Sequence, residues 1–238
     1  PITSSRVSDA FNAADQIEFS GGKKNTINFE FVKGRLKERY EDSSPQTKVR
    51  FFENLYTDNP TNENKYSFIC ALQSNGQTDD ALKLINEILD KFPKNLILNI
   101  TKSEILLSGQ RLDDAKQTID EVLKISPDNY PASILKSRIL SAKKETIKAE
   151  EILRDLLISK NRNPSLWMQL SEVQRAGKNI VGYHLSRGEY FTLIGDFDNA
   201  LNQFQFALSL SGNSFQTSET IMTKIKFVQS RLAKRRGI

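Results

Sequence analysis

The feature that most constrains this chain is a period. An alanine recurs at Ala81, Ala115 and Ala149, 34 residues apart each time, inside the aligned segments GQTDDALKLINEILDKFP, GQRLDDAKQTIDEVLKISP and ETIKAEEILRDLLIS. The proline that closes the segment repeats at the same interval, from Pro93 to Pro127. A period of this length marks one supersecondary unit copied along the chain. Each copy cannot bury its apolar face alone, so the copies have to stack.

The positions inside the period say what the unit is. A first helix, A, carries a small residue at repeat position 8, Ser103, Ser137 and Ser171, and an apolar one at position 11, Leu72, Leu106 and Leu140; a turn with Gly76 or Gly109 follows. A second helix, B, carries the alanine at position 20 and ends at the proline. Small side chains let B approach A, and the larger ones fill the space beside them. This is similar to the tetratricopeptide repeat (TPR) pattern, and the fold it predicts is all-α: a TPR solenoid of antiparallel helical hairpins with a C-terminal capping helix.

Hairpins are expected at about 62–95, 96–129 and 130–163, with Asp79, Asp80, Asp113 and Asp114 favouring the B-helix starts through the helix dipole. A weaker one, with Phe51 and Pro60 near register, covers about 27–60. After Pro164 the register breaks. Residues 164–180 form an A helix by Leu170, Ser171 and Gly177, while 181–214 is itself a full hairpin with Gly188 at position 8 and Ala200 at position 20. The segment Ile180–Ile194 is therefore expected to serve as helix B of one unit and helix A of the next. The repeats span 26–214, preceded by a helix and loop over 1–25. They are followed by a basic capping helix over 215–238, with Ile221, Ile225, Val228 and Leu232 on one face.

Composition agrees. Hydrophobic residues make 38% and charged ones 26% of 238 residues, with only 11 Gly and 7 Pro, which suits long helices better than disorder or loop-rich β structure. No stretch approaches the ~20 apolar residues of a membrane span. The start, PITSSRVSDAF, lacks the basic and apolar regions of a signal peptide, which leaves a cytoplasmic protein or a segment of a longer one as readings. The single cysteine, Cys70, reads as a small buried thiol. The net charge of +5 is concentrated: Lys224, Lys226, Arg231, Lys234, Arg235 and Arg236 against Glu219 account for all of it. That argues against a nucleic-acid-binding face spread over the fold, and the cluster itself reads as a solvated helix end.

Catalytic chemistry is missing from the sequence. A zinc peptidase helix needs two histidines with a glutamate between them, and the chain has one histidine. There is no G-x-S-x-G, no G-x-x-x-x-G-K-[ST] and no G-x-G-x-x-G; Gly21-Gly22-Lys23-Lys24 lacks the spacing of a phosphate loop. His184 is mid-helix with no nearby nucleophile and reads as a packing or surface residue. Trp167, at position 4, reads as core. Neither a catalytic residue, a metal site nor a cofactor is expected in this chain.

A partner is expected along the A helices, which line the concave side of such a stack. Position 5 gives Tyr66, Ile100, Ile134, Met168 and Leu185, all apolar or aromatic; position 9 gives Cys70, Glu104, Arg138, Glu172 and Glu189, mostly charged. An apolar stripe beside charge suits an extended peptide or exposed strand, although the same residues could instead pack against neighbouring helices. Only Arg138 and Arg175 stand where a carboxylate clamp would need cations, so capture of a chaperone tail is not expected.

The run GKNIVGYHLSRGEYFTLIGDFDNALNQFQFALSLSGNSFQTS resembles the C-terminal end of the β-barrel assembly-enhancing proteases, zinc metallopeptidases of the Gram-negative periplasm with a catalytic half followed by a TPR half. The matching positions are Gly177, Asn179, Val181, Gly182, His184, Arg187, Glu189 and Tyr190. After them come Gly195, Asp196, Phe197, Ala200 and Leu201, then Gly212, Asn213 and Gln216. The departures are an inserted Lys178, and Ser186 and Gly188 in place of alanines. At the other end, PITSSRVSDAFNAADQ resembles the segment after the peptidase domain, by Arg6 and Val7. The resemblance implies the non-catalytic half of a periplasmic, membrane-associated quality-control protein, with its HExxH helix and zinc in a peptidase domain upstream of Pro1. Its partners would be outer-membrane β-barrel precursors, their assembly machinery and its own peptidase domain, without nucleic acid and without a transmembrane segment. Two other readings remain: a free-standing TPR scaffold for secretion or pilus assembly, and a regulator binding nucleic acid or anionic lipid through the basic tail.

Overall fold

The computed structural model describes residues 26–212 and 214–236, and every regular element among them is a helix. The helix expected within residues 1–25 lies outside the described residues. In chain order the helices are α1 (Ile27–Tyr40), α2 (Pro45–Asp58), α3 (Asn62–Ser74), α4 (Thr78–Leu89), α5 (Leu96–Ser108) and α6 (Leu112–Ile125). They continue as α7 (Tyr130–Ala142), α8 (Thr146–Lys160), α9 (Pro164–Ala176), α10 (Ile180–Leu193), α11 (Phe197–Leu210) and α12 (Phe215–Arg236). The chain forms two compact units that divide within α3, between Ala71 and Leu72.

In the first unit, α1 and α3 touch through small groups. Ser67 Oγ donates to the Gly34 carbonyl at 3.0 Å, and a Cβ on Gly34 would sit 2.6 Å from the Glu63 carbonyl oxygen. The buried rings of Phe31 and Tyr66 lie 5.2 Å apart, and Glu63 pairs with Lys33 at 3.0 Å and with Lys37. The paired lysines outweigh partial burial and hold the Glu63 carboxyl below its ordinary value.

The second unit shows why the period works. Ala81, Ala115, Ala149 and Ala200 are all completely buried, as are Ser103, Ser137 and Ser171. Ser103 Oγ donates to the Ala115 carbonyl at 2.8 Å, a bond from helix A to helix B that only a short side chain can make at such close approach. Each helix packs on the next, and the A helices α5, α7 and α9 also touch in succession. Leu140, Leu153, Leu157, Leu166, Leu170 and Val173 form one continuous core between hairpins, with Trp167 and Ile134 against its margin. The indole of Trp167 is partly buried, and its Nε1 donates to the Asn161 carbonyl at 2.7 Å.

The helix starts also repeat. Asn95, Asn129 and Asn163, themselves one period apart, cap α5, α7 and α9 by accepting from the N–H of Leu98, Ala132 and Ser165. The B helices α4 and α6 have no side-chain cap and carry Asp79, Asp80, Asp113 and Asp114 in their first turns, where the dipole favours negative charge. The turns correct one reading. Gly76 and Gly109 are not equivalent, because the left-handed residue of the A–B turns of this unit is at position 15: Gly76, Gln110, Lys144, Lys178 and Gly195, with φ between 60 and 81. Gly109 is instead needed for space, since a Cβ there would lie 2.4 Å from Thr78 Cγ2.

Candidate partner-binding surface

Helix α10 packs against both α9 and α11. Its buried residues are all small: Gly182, Ser186 and Gly188. A Cβ on Gly188 would come 2.3 Å from the Phe204 ring, and one on Gly182 would come 2.8 Å from Gln174 Nε2. Gln174 occupies position 11, where the three preceding repeats have Leu72, Leu106 and Leu140, and it is buried within a polar chain. Ser186 Oγ donates to Gln174 Oε1 at 2.7 Å, and Gln174 Nε2 donates to Glu150 Oε1 at 2.9 Å. Burial alone would raise the Glu150 carboxyl; donation from Gln174, Arg154 and Asn179 outweighs it and keeps the group ionised below its ordinary value.

The position-5 and position-9 residues fall into two groups. Tyr66, expected on the groove, is wholly buried; its ring packs on Phe31 and its phenol accepts from Arg35 at 3.1 Å, so it offers a partner no surface. Cys70 is buried as well. At the far end Leu185 packs against the cluster around Phe204, and Glu189 is paired with Lys224 of α12. Those two are engaged by the protein's own capping helix and core.

Between these ends Ile100, Ile134 and Met168 are partly exposed on α5, α7 and α9, and one turn later stand Glu104, Arg138 and Glu172. Arg138 and Glu172 are exposed; Arg175 is exposed too and donates to Glu172 through Nε and Nη2 at 3.0 and 2.7 Å, which raises the guanidinium's pKa further. These partly exposed apolar and charged groups stand on helices α5, α7 and α9, which touch in succession.

A second electrostatic feature ties hairpins together beside this surface. Asp120 of α6 accepts from Lys116 at 2.7 Å and forms an ion pair with Lys136 of α7 at 2.9 Å, and Lys143 pairs with Asp113. Burial pushes the Asp120 carboxyl up, the two ammonium groups push it down, and they prevail. His184 is used in packing: its ring lies 5.3 Å from Phe206, and Nδ1 is 2.9 Å from Gln203 Oε1. Of these features the sequence reading missed Gln174, although a polar residue at a leucine position was a visible signal.

The comparisons agree with this architecture. Residues 72–125 match the tetratricopeptide repeat family model. No curated protein matches the chain in sequence. Among solved structures, a tetratricopeptide repeat protein from Parabacteroides merdae is 16% identical with a TM-score of 0.51, over 94% of this chain and 92% of that one. A thermophilic TPR protein of Thermus thermophilus is also 16% identical with a TM-score of 0.51, over 84% of this chain and 99% of its own. BtubC of P. vanneervenii is 12% identical with a TM-score of 0.50, over 88% and 93%. The fold is a TPR solenoid, the architecture of a protein-binding module.

Proposed function

We propose that this chain is the partner-docking, non-catalytic half of a periplasmic metalloprotease and chaperone, and that it receives extended segments of outer-membrane β-barrel precursors and of the machinery that assembles them. The observation that carries docking is the row of partly exposed Ile100, Ile134 and Met168 on three touching A helices, with Glu104, Arg138 and Glu172 one turn away. A strand in extended conformation has alternate side chains for the apolar row and backbone polar groups for the charges. The protease assignment is supported by the resemblance of the run from Gly177 to Gln216 to the C-terminal end of that family.

The test is the Ile100→Asp, Ile134→Asp double variant, read by circular dichroism and by photo-crosslinking to β-barrel precursors on the same preparation. Docking predicts lost crosslinking with helicity kept. Unfolding of the variant would assign both isoleucines to the core instead, and a folded variant that crosslinks as before would move the site off this face. Charge reversal at Arg138 or Glu172 is expected to weaken binding less, since rim charges act mainly on association rate. An HExxH in the sequence encoded upstream separates the protease half from a free-standing scaffold.

A further inference from the structure

The capping helix carries more charge than capping needs. Its inner face, Ile221, Val228 and Leu232, is buried in the cluster around Phe204, and Lys224 is tied to Glu189 of α10. Lys226, Arg231, Lys234 and Arg235 are all exposed, and none of the four is ion-paired among the described residues. At about 100° per residue, Phe227, Arg231 and Lys234 fall on one flank of the outer face, and Met222 and Lys226 on the other. Phe227 is 47% exposed, with Arg231 5.1 Å above its ring, and Met222 is 45% exposed. The outer face therefore mixes unpaired cations with half-exposed apolar side chains, at the end of a chain whose other residues are electrically neutral in sum.

We propose that this outer face of α12 rests on an anionic phospholipid surface. A membrane interface uses both components: headgroup phosphates attract the cations, each contributing independently, and the upper acyl region accepts Phe227 and Met222. A nucleic-acid backbone would satisfy the cations and leave the apolar groups in water. The contact is peripheral, because no helix among the described residues is long and apolar enough to cross a membrane and the inner face of α12 stays on the solenoid.

Co-sedimentation of the whole chain with vesicles of phosphatidylcholine, alone or with one third phosphatidylglycerol, tests this. The expected result is binding to the anionic vesicles only, fading as salt shortens the screening length. The Lys226→Glu, Arg231→Glu, Lys234→Glu variant is expected to lose more than about tenfold in apparent affinity, and the Gln set at the same positions somewhat less. Phe227→Ser is expected to lose about threefold at unchanged charge, which a purely electrostatic contact would not show. Equal binding to both vesicle types, no binding at low salt, or full binding by the Gln set would overturn the proposal. So would tighter binding to a DNA duplex than to the vesicles. None of these substitutions touches the groove on α5, α7 and α9, so crosslinking there reports separately on docking.

Discussion

The hairpins α5–α6 and α7–α8 and the triplet α9–α10–α11 solve one packing problem in different ways. In the regular hairpins each B helix presents Ala plus a large buried residue four places on, Ala115 with Ile119 and Ala149 with Leu153, and apolar volume fills the gap between units. In the triplet, α10 has a partner on each side and buries only Gly182, Ser186 and Gly188. Counted in register from Pro164, the places of the alanine and its large partner fall on Tyr183 and Arg187, both only partly buried. The helix is turned so that small residues face both neighbours, and the volume lost at position 11 is replaced by a hydrogen-bonded chain through Gln174. Sharing one helix between two units thus exchanges apolar burial for close approach and polar satisfaction.

The strongest way to break this comparison is to delete volume from the regular side. Leu153→Ala is expected to cost about 2–5 kcal/mol, since the site is completely buried and lies in a continuous core that cannot collapse freely. At this chain length that is a fall in melting temperature of roughly 4–20 °C by calorimetry or circular dichroism. A mutant melting within a degree of the parent would mean that the hairpins do not share this core.

The comparison is sharpened by making the triplet look regular. Gln174→Leu introduces the residue found at position 11 of the three regular hairpins, and burial of apolar surface alone predicts a gain. We expect a loss of about 1–3 kcal/mol instead, because Ser186 Oγ loses its partner in the interior and Glu150 loses one of its donors, keeping Arg154. Gln174→Leu combined with Ser186→Ala should recover part of the loss, a coupling that separates a hydrogen-bonded chain from two unrelated polar residues. Additive losses, measured by denaturant unfolding of all four proteins, would count against the chain.

How much of this was legible in the sequence follows from the same contrast. The regular side was readable because the period repeats both chemistry and geometry: one alanine, one serine and one leucine per unit specify where two helices touch. The all-α hairpin stack came from that, and the capping helix from the helical spacing of Ile221, Ile225, Val228 and Leu232. The burial of Tyr66 was not readable, because position 5 is a surface position only where nothing covers it, and the Phe31 and Arg35 contacts to it come from an element with weak register. The break at Pro164 was visible as a loss of period. What replaced the period needed coordinates, since Glu150, Gln174 and Ser186 lie on three different helices.

Acid should expose a smaller difference. The Glu150 carboxyl has its folded pKa held below the ordinary value, so its contribution is fully present above that value, about 4.3, and disappears as pH falls through the lower folded value. Glu150→Gln keeps an acceptor for Gln174 and removes the charge. It is expected to cost a few tenths to about 1 kcal/mol near neutral pH, as for a partly exposed ion pair, with the gap to the parent closing below about pH 4. A gap that stays constant down to pH 3 would show that the charge contributes nothing.

The smallest effect concerns the turns, which both regions share. Position 15 is left-handed in five turns, α3–α4, α5–α6, α7–α8, α9–α10 and α10–α11, yet only Gly76 and Gly195 are glycine there, while Gln110, Lys144 and Lys178 hold a conformation that a Cβ resists. Gln110→Gly is therefore expected to stabilise the chain by a few tenths of a kcal/mol, about 0.5 at most, relief of strain exceeding the added freedom of the unfolded state. Gly195→Ala should do the reverse by a similar amount. A Cβ at Gly195 meets nothing within 4 Å, so its effect isolates backbone strain from steric contact. Gly188→Ala provides the opposite control, because there a Cβ strikes the Phe204 ring in an ordinary helical backbone. If melting shows Gln110→Gly neutral or destabilising while Gly195→Ala is destabilising, the glutamine side chain must be making a compensating contact in its own turn. The left-handed position would then be held by side chains in the regular repeats and by backbone freedom only at the ends.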